Sequence, residues 1–161
     1  MTANIDQALA LVAQKFQGMT DKDGEPYVMH CLRVMMGVAD AKGRLVGLMH
    51  DLVEDTDVTL DQLTEIGFDE HVVEAIGLVT HLSEDSYADY VVRLKANELA
   101  RQAKLSDLRD NAGIGRVLYR EDRKDRDMKR IQRYILSYQF LNDRISEGSY
   151  RQQMVSLEDN E

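Results

Sequence analysis

The chain has 161 residues and a formal charge of −9, from 29 Asp and Glu against 20 Lys and Arg. That length suits one compact domain with its own core, and the acidic balance argues against general binding to a nucleic-acid backbone, which relies on neutralising phosphates. The single cysteine, Cys31, excludes an internal disulfide, no apolar run approaches the ~18 residues of a membrane span, and no signal-like N-terminus is seen, so a soluble cytoplasmic protein is expected.

One proline and no linker or repeat predict helices joined by short turns, an all-α single domain over residues 1–149 with a frayed tail at 150–161. A first helix is expected over about residues 4–17, with Ile5, Leu9, Val12 and Phe16 at helical spacing. After a loop from Gly18 to Gly24, Pro26 suits the first turn of a second helix, about 26–40. The third, about 42–54, is apolar nearly all round, so it is buried. Thr59 and Gln62 have capping-box spacing for a fourth; Asp69 caps a fifth reaching about Leu82, and Ser86 a sixth. Leu99 to Ala112 forms another helix, and a long one runs from Asp125 to about Glu147 with Ile131, Ile135, Leu136 and Phe140 inward. The basic segment 120–133 reads as a solvated face of alternating charge rather than a phosphate clamp.

The chemistry concentrates in the third helix, where His50, Asp51, Glu54 and Asp55 sit among apolar residues. An unpartnered buried carboxylate costs several kcal/mol, roughly, and a divalent cation is the economical partner. Residues four apart share a face, so His50 with Glu54 and Asp51 with Asp55 form two rows about 100° apart that can line one cavity. Imidazole with carboxylate suits manganese, iron, nickel or zinc better than calcium. His30 and Asp107 are the candidates to complete the ligand set, with Lys104, Asp107 and Asn111 on one polar edge. His71 and His81 lack partners at ligand spacing and read as surface or core residues; Cys31 reads as a packed small hydrophobe.

Three blocks in order, Gly-x-Pro-Tyr-x-x-His (Gly24 to His30), His-Asp-x-x-Glu-Asp-Thr (His50 to Thr56) and Lys-Leu-x-Asp-x-x-x-Asn (Lys104 to Asn111), resemble the HD-domain phosphohydrolases, specifically the RelA/SpoT-type alarmone hydrolases. The chain's length points to the small stand-alone members. The resemblance implies an all-α HD fold with manganese held by His30, His50, Asp51 and Asp107, and Glu54 and Asp55 as the acidic pair that positions or deprotonates water. It implies removal of the 3′-pyrophosphate from guanosine tetra- or pentaphosphate, with Lys104 and Asn111 contacting ribose or phosphate; Lys22 is a further candidate substrate contact, as is Tyr27, which could equally pack beneath the loop. The chain departs from the pattern at Thr20-Asp21-Lys22-Asp23, where the family carries a basic pair whose arginine stacks on guanine, and at Cys31, where proline is common. The first departure leaves guanine and adenine nucleotides both open. An HD-type nucleotide phosphatase, of the 5′-nucleotidase or NADPH phosphatase kind, and a nucleotide-sensing module without turnover are the alternatives.

Overall fold

A computed structural model describes residues 3–114 and 121–158. Its elements are α1 (Ile5–Lys15), α2 (Tyr27–Met36), α3 (Ala41–Met49), α4 (Leu52–Asp55), α5 (Leu60–Ile66), α6 (Glu70–Val79), α7 (Tyr87–Leu94), α8 (Glu98–Asn111), a 3-10 turn at Glu121–Arg123, α9 (Lys124–Leu141) and α10 (Glu147–Glu158). No strand occurs among the described residues, so the expected all-α class holds; one isolated antiparallel bridge, Thr20 to Pro26, pins the loop before α2. No helix among them is long and apolar enough to cross a membrane.

Most helix starts follow from short polar side chains that accept the orphan N–H groups of the first turn. Asn4, Asp40, Thr59, Asp69, Ser86 and Asn97 all cap in this way, and Thr59 with Gln62 closes the reciprocal box foreseen from spacing. Pro26 stands one position before α2, where its missing N–H costs nothing.

Helix α3 is the centre of the bundle. Val46, Leu48 and Met49 are fully buried, and α2, α8, α6 and α1 pack round it. Gly47 permits this on one side: a Cβ there would meet Met35 Cα at 3.3 Å and Val34 O at 3.4 Å, both backbone atoms of α2. The two helices that carry His30 and His50 therefore lie close together.

Three expectations need correction. The single helix at 42–54 is two, because Asp51 (φ −98°, ψ 1°) leaves helical geometry between α3 and α4. The long helix stops at Leu141: the chain turns through Asp143 (φ 59°), whose carboxylate holds Lys95 and Arg101, and Ile135 lies 47% exposed rather than inward. The segment from Tyr150 is not frayed but part of α10. Tyr150 and Met154, one turn apart, are buried; the Tyr150 ring stacks on Phe140 at 4.7 Å and its hydroxyl lies 3.0 Å from Ser137 Oγ. Residues 159–161 of that tail, and Arg120 of the basic segment, lie outside the described residues.

Candidate metal centre and its cavity

His30 comes from the buried face of α2, His50 and Asp51 from the break between α3 and α4, and Asp107 from the buried face of α8. In a regular helix, adjacent residues point about 100° apart; the break instead lets His50 Nε2 and Asp51 Oδ2 approach to 2.8 Å. His30 Nε2 lies 3.6 Å from Asp51 Oδ2 and 3.4 Å from Asp107 Oδ1, and His50 Nε2 lies 3.6 Å from the same Asp107 oxygen. One donor atom from each of His30, His50 and Asp107 falls within 4.8 Å of the others, an arrangement that could hold a metal ion. Asp51 adjoins this trio through His50 and His30.

Ring orientation is set from behind. His50 Nδ1 donates to Gly47 O at 2.9 Å and His30 Nδ1 donates to Asp110 Oδ2 at 2.6 Å, so both Nε2 atoms face the cluster. His50 Nε2 is buried and lacks an aligned hydrogen-bond partner. Such an orphan costs about 1–3 kcal/mol unless something binds it. Two imidazole nitrogens and two carboxylates suit a first-row divalent cation, so the residues present fit one.

Without a cation the electrostatics are inverted. Burial by itself would lower the His30 pKa, yet contacts with Asp107, Asp110 and Asp51 push it up to about 11. Burial of His50 is likewise outweighed by Asp51 and Asp107, which push it up to about 9. Asp51 and Asp107 lie well below the usual carboxylate range: burial opposes this, but His50 and His30 hold Asp51 down, and Lys104 with both histidines holds Asp107 down. Lys104 and the two histidines thus offset the charge of the carboxylates.

The cluster floors a cavity of about 330 Å³. Glu54 and Asp55 are on its acidic wall beside Asp51. Glu54 Oε2 accepts the His81 N–H at 2.9 Å, and partial burial raises both carboxyls above their ordinary values, with the Asp51 charge adding to it. The Tyr27 hydroxyl donates to Asp51 Oδ2 at 2.6 Å and lies 3.2 Å from Asp55 Oδ2. Lys22, Lys104 and Asn111 also line the cavity. Lys104 Nζ is on Asp107 Oδ2 at 2.8 Å, and Asn111 Nδ2 donates to Asp107 Oδ1 at 2.5 Å.

Several lining residues escaped the sequence reading. Arg130 and Arg133 of α9 line the same cavity as the acids, so the basic segment is only partly a solvated face. Arg133 lies over the Tyr87 ring at 4.6 Å, and both arginine Nε atoms are buried without a hydrogen-bond partner. His81 proves to be a wall residue, tilted against Tyr90 at 4.9 Å, whereas His71 is exposed and Cys31 fully buried as expected. Asp110 was missed too; its signal was that His30, in an apolar helix, needed a partner for its second ring nitrogen. Asp21, which replaces the expected basic residue, folds the loop: its Oδ1 accepts from the N–H groups of Asp23 at 2.9 Å and Glu25 at 3.0 Å.

No family model matches the chain. It is 31% identical over 132 residues, 74% of its length, to a guanosine-3′,5′-bis(diphosphate) 3′-pyrophosphohydrolase of Aquifex aeolicus, and 33% identical over 85 residues, 50% of its length, to one of Borreliella burgdorferi. The matches cover 19% and 13% of those proteins, so the chain spans a fifth or less of each. A solved structure of a metazoan SpoT ortholog, described as hydrolysing ppGpp, superposes with a TM-score of 0.69 at 19% identity, covering 98% of this chain and 94% of that one. The fold is therefore that of the SpoT ortholog, and the resemblance carried by the three sequence blocks extends to most of the chain.

Proposed function

We propose that this chain, similar to the HD-domain alarmone hydrolases in both sequence and fold, is a metal-dependent hydrolase that removes the 3′-pyrophosphate from guanosine tetra- or pentaphosphate or a related nucleotide. The observation that supports the reading is the buried cluster of His30, His50 and Asp107, with Asp51 against both histidines, beside a cavity lined by both acidic and basic side chains. Manganese held by those four residues would acidify water and neutralise phosphoryl charge.

The remaining work falls to the chain's own groups. Glu54, its carboxyl raised by partial burial and one oxygen tied to the His81 N–H, is suited to take a proton from the attacking water. Asp55, beside the Tyr27 hydroxyl, orients that water, and Tyr27 holds Asp51 and Asp55 in fixed relation. Arg130 and Arg133, which line the cavity, would supply positive charge to substrate phosphate. Lys22 and Asn111 contact ribose or phosphate at the rim, while Lys104 serves the substrate indirectly by neutralising Asp107. With Asp21 engaged in its loop, the base is not gripped as the family pattern implies, and guanine and adenine both remain candidates.

The test is elemental analysis of the purified chain followed by a screen of guanosine and adenosine polyphosphates with manganese, identifying the product. Intact pyrophosphate is expected. Orthophosphate alone from every nucleotide would overturn the assignment in favour of a nucleotide phosphatase, and nucleotide binding without turnover would favour a sensing module.

A further inference from the structure

The proposed metal centre has a support that lies outside the defining positions of the sequence blocks. Asp110 sits one turn beyond Asp107 on α8, its side chain only 11% exposed. One oxygen accepts from His30 Nδ1 at 2.6 Å and the other from Arg33 Nε at 2.7 Å. Arg33, one turn along α2 from His30, is itself drawn outward by Glu25 at 3.1 Å. A chain of charge-assisted bonds thus runs from the surface, through Arg33 and Asp110, into the back of the His30 ring.

We propose that Asp110, tethered by Arg33, is the positioning carboxylate of the metal centre, fixing the Nδ1–H of His30 so that Nε2 keeps facing the point where Asp51, Asp107 and His50 meet. The inference rests on the proposed function, since it concerns residues that would hold the cation. A ligating histidine is a two-ended group: the hydrogen bond at one nitrogen fixes the tautomer and the plane of the ring, and makes the other nitrogen more basic. His50 obtains this from a carbonyl in its own helix, Gly47 O. His30 obtains it across the α2–α8 interface, so its aim depends on a carboxylate whose second oxygen is anchored. The Arg33 bond to the second oxygen restrains the Asp110 carboxylate against rotation, and the His30 ring with it.

Isothermal titration of the metal-free full chain with manganese chloride alone tests this independently of turnover. Asp110→Ala should weaken manganese binding by about 10–100-fold. Asp110→Asn, whose amide oxygen still accepts from Nδ1–H, should recover most of the loss, and Arg33→Gln should weaken binding a few-fold by releasing the tether. Parent-like affinity in Asp110→Ala would overturn the proposal, as would an Asn variant as weak as the Ala variant, which would assign the effect to charge. A purely structural role would lower the melting temperature of the metal-free protein while leaving ion affinity unmoved, and that too overturns it. Should the Ala variant not fold, the other two decide: weaker binding in Arg33→Gln than in Asp110→Asn supports the positioning role, and parent-like binding in both removes it. A parent chain that takes up no divalent ion would overturn the proposed function and this inference together; uptake by the parent with unchanged variants overturns only the latter.

Discussion

Histidine 30 and histidine 50 are both driven towards their charged forms by the carboxylates around them. In the metal-free protein each holds its proton more tightly than the ordinary value of 6.5, so the stabilisation is complete below about that pH and fades as pH rises through about 9 for His50 and about 11 for His30. The melting temperature of the metal-free chain should fall across that alkaline window; a flat profile would contradict the protonated cluster. Asp51 and Asp107 act in the opposite sense, contributing above about 3.8 and losing that contribution as acid protonates them. Asp51→Ala should eliminate both bound metal and hydrolysis. Glu54→Gln should keep the metal and lose about 10²–10⁴-fold in kcat, which separates proton transfer from ligation. His30, His50 and Asp51 stood out as polar residues among apolar ones, whereas Asp107, on a charged helix, was singled out only by the three sequence blocks taken together. Asp110, Arg130 and Arg133 were not, because on a charged helix nothing in the spacing distinguishes an inward charge from a solvated one.

Helix packing transmits to the site through a few narrow contacts. Gly47→Ala would press a methyl group against the backbone of α2, at a cost of about 1–3 kcal/mol, and would part the helices that carry His30 and His50. Weaker manganese binding with an intact helical spectrum is expected; an unchanged ion affinity would mean the site tolerates the displacement. Met154→Ala removes a buried anchor of α10 and should destabilise the protein by about 2–5 kcal/mol, measurable by chemical denaturation. Helix starts were readable from Thr59, Asp69 and Ser86 because capping is a local interaction. The break at Asp51 was not, since no glycine or proline marks it and apolar residues continue on both sides. Helix α10 was hidden for a similar reason: Tyr150 and Met154 make too short an apolar stripe to stand out from a polar segment.

At the level of the whole molecule, the proposed function would have an acidic chain with a charge of −9 take a polyanionic substrate. The cation and the arginines of α9 would provide local attraction within an unfavourable overall field, so added salt should affect capture less than loss of the metal does. Chelation should lower the melting temperature and manganese should restore it, by about 2.7 kcal/mol at a hundredfold excess over Kd; no response would contradict a resident ion. Lys104, on Asp107 at 2.8 Å and over the Tyr90 ring at 5.2 Å, gives this site an unusual starting state. Together with the imidazolium protons it keeps the carboxylates in register before any ion arrives. Loading would then be an exchange of positive charges on a finished scaffold, with protons leaving as the ion enters and a heat-capacity change near zero, unlike small zinc modules whose chains collapse around their metal.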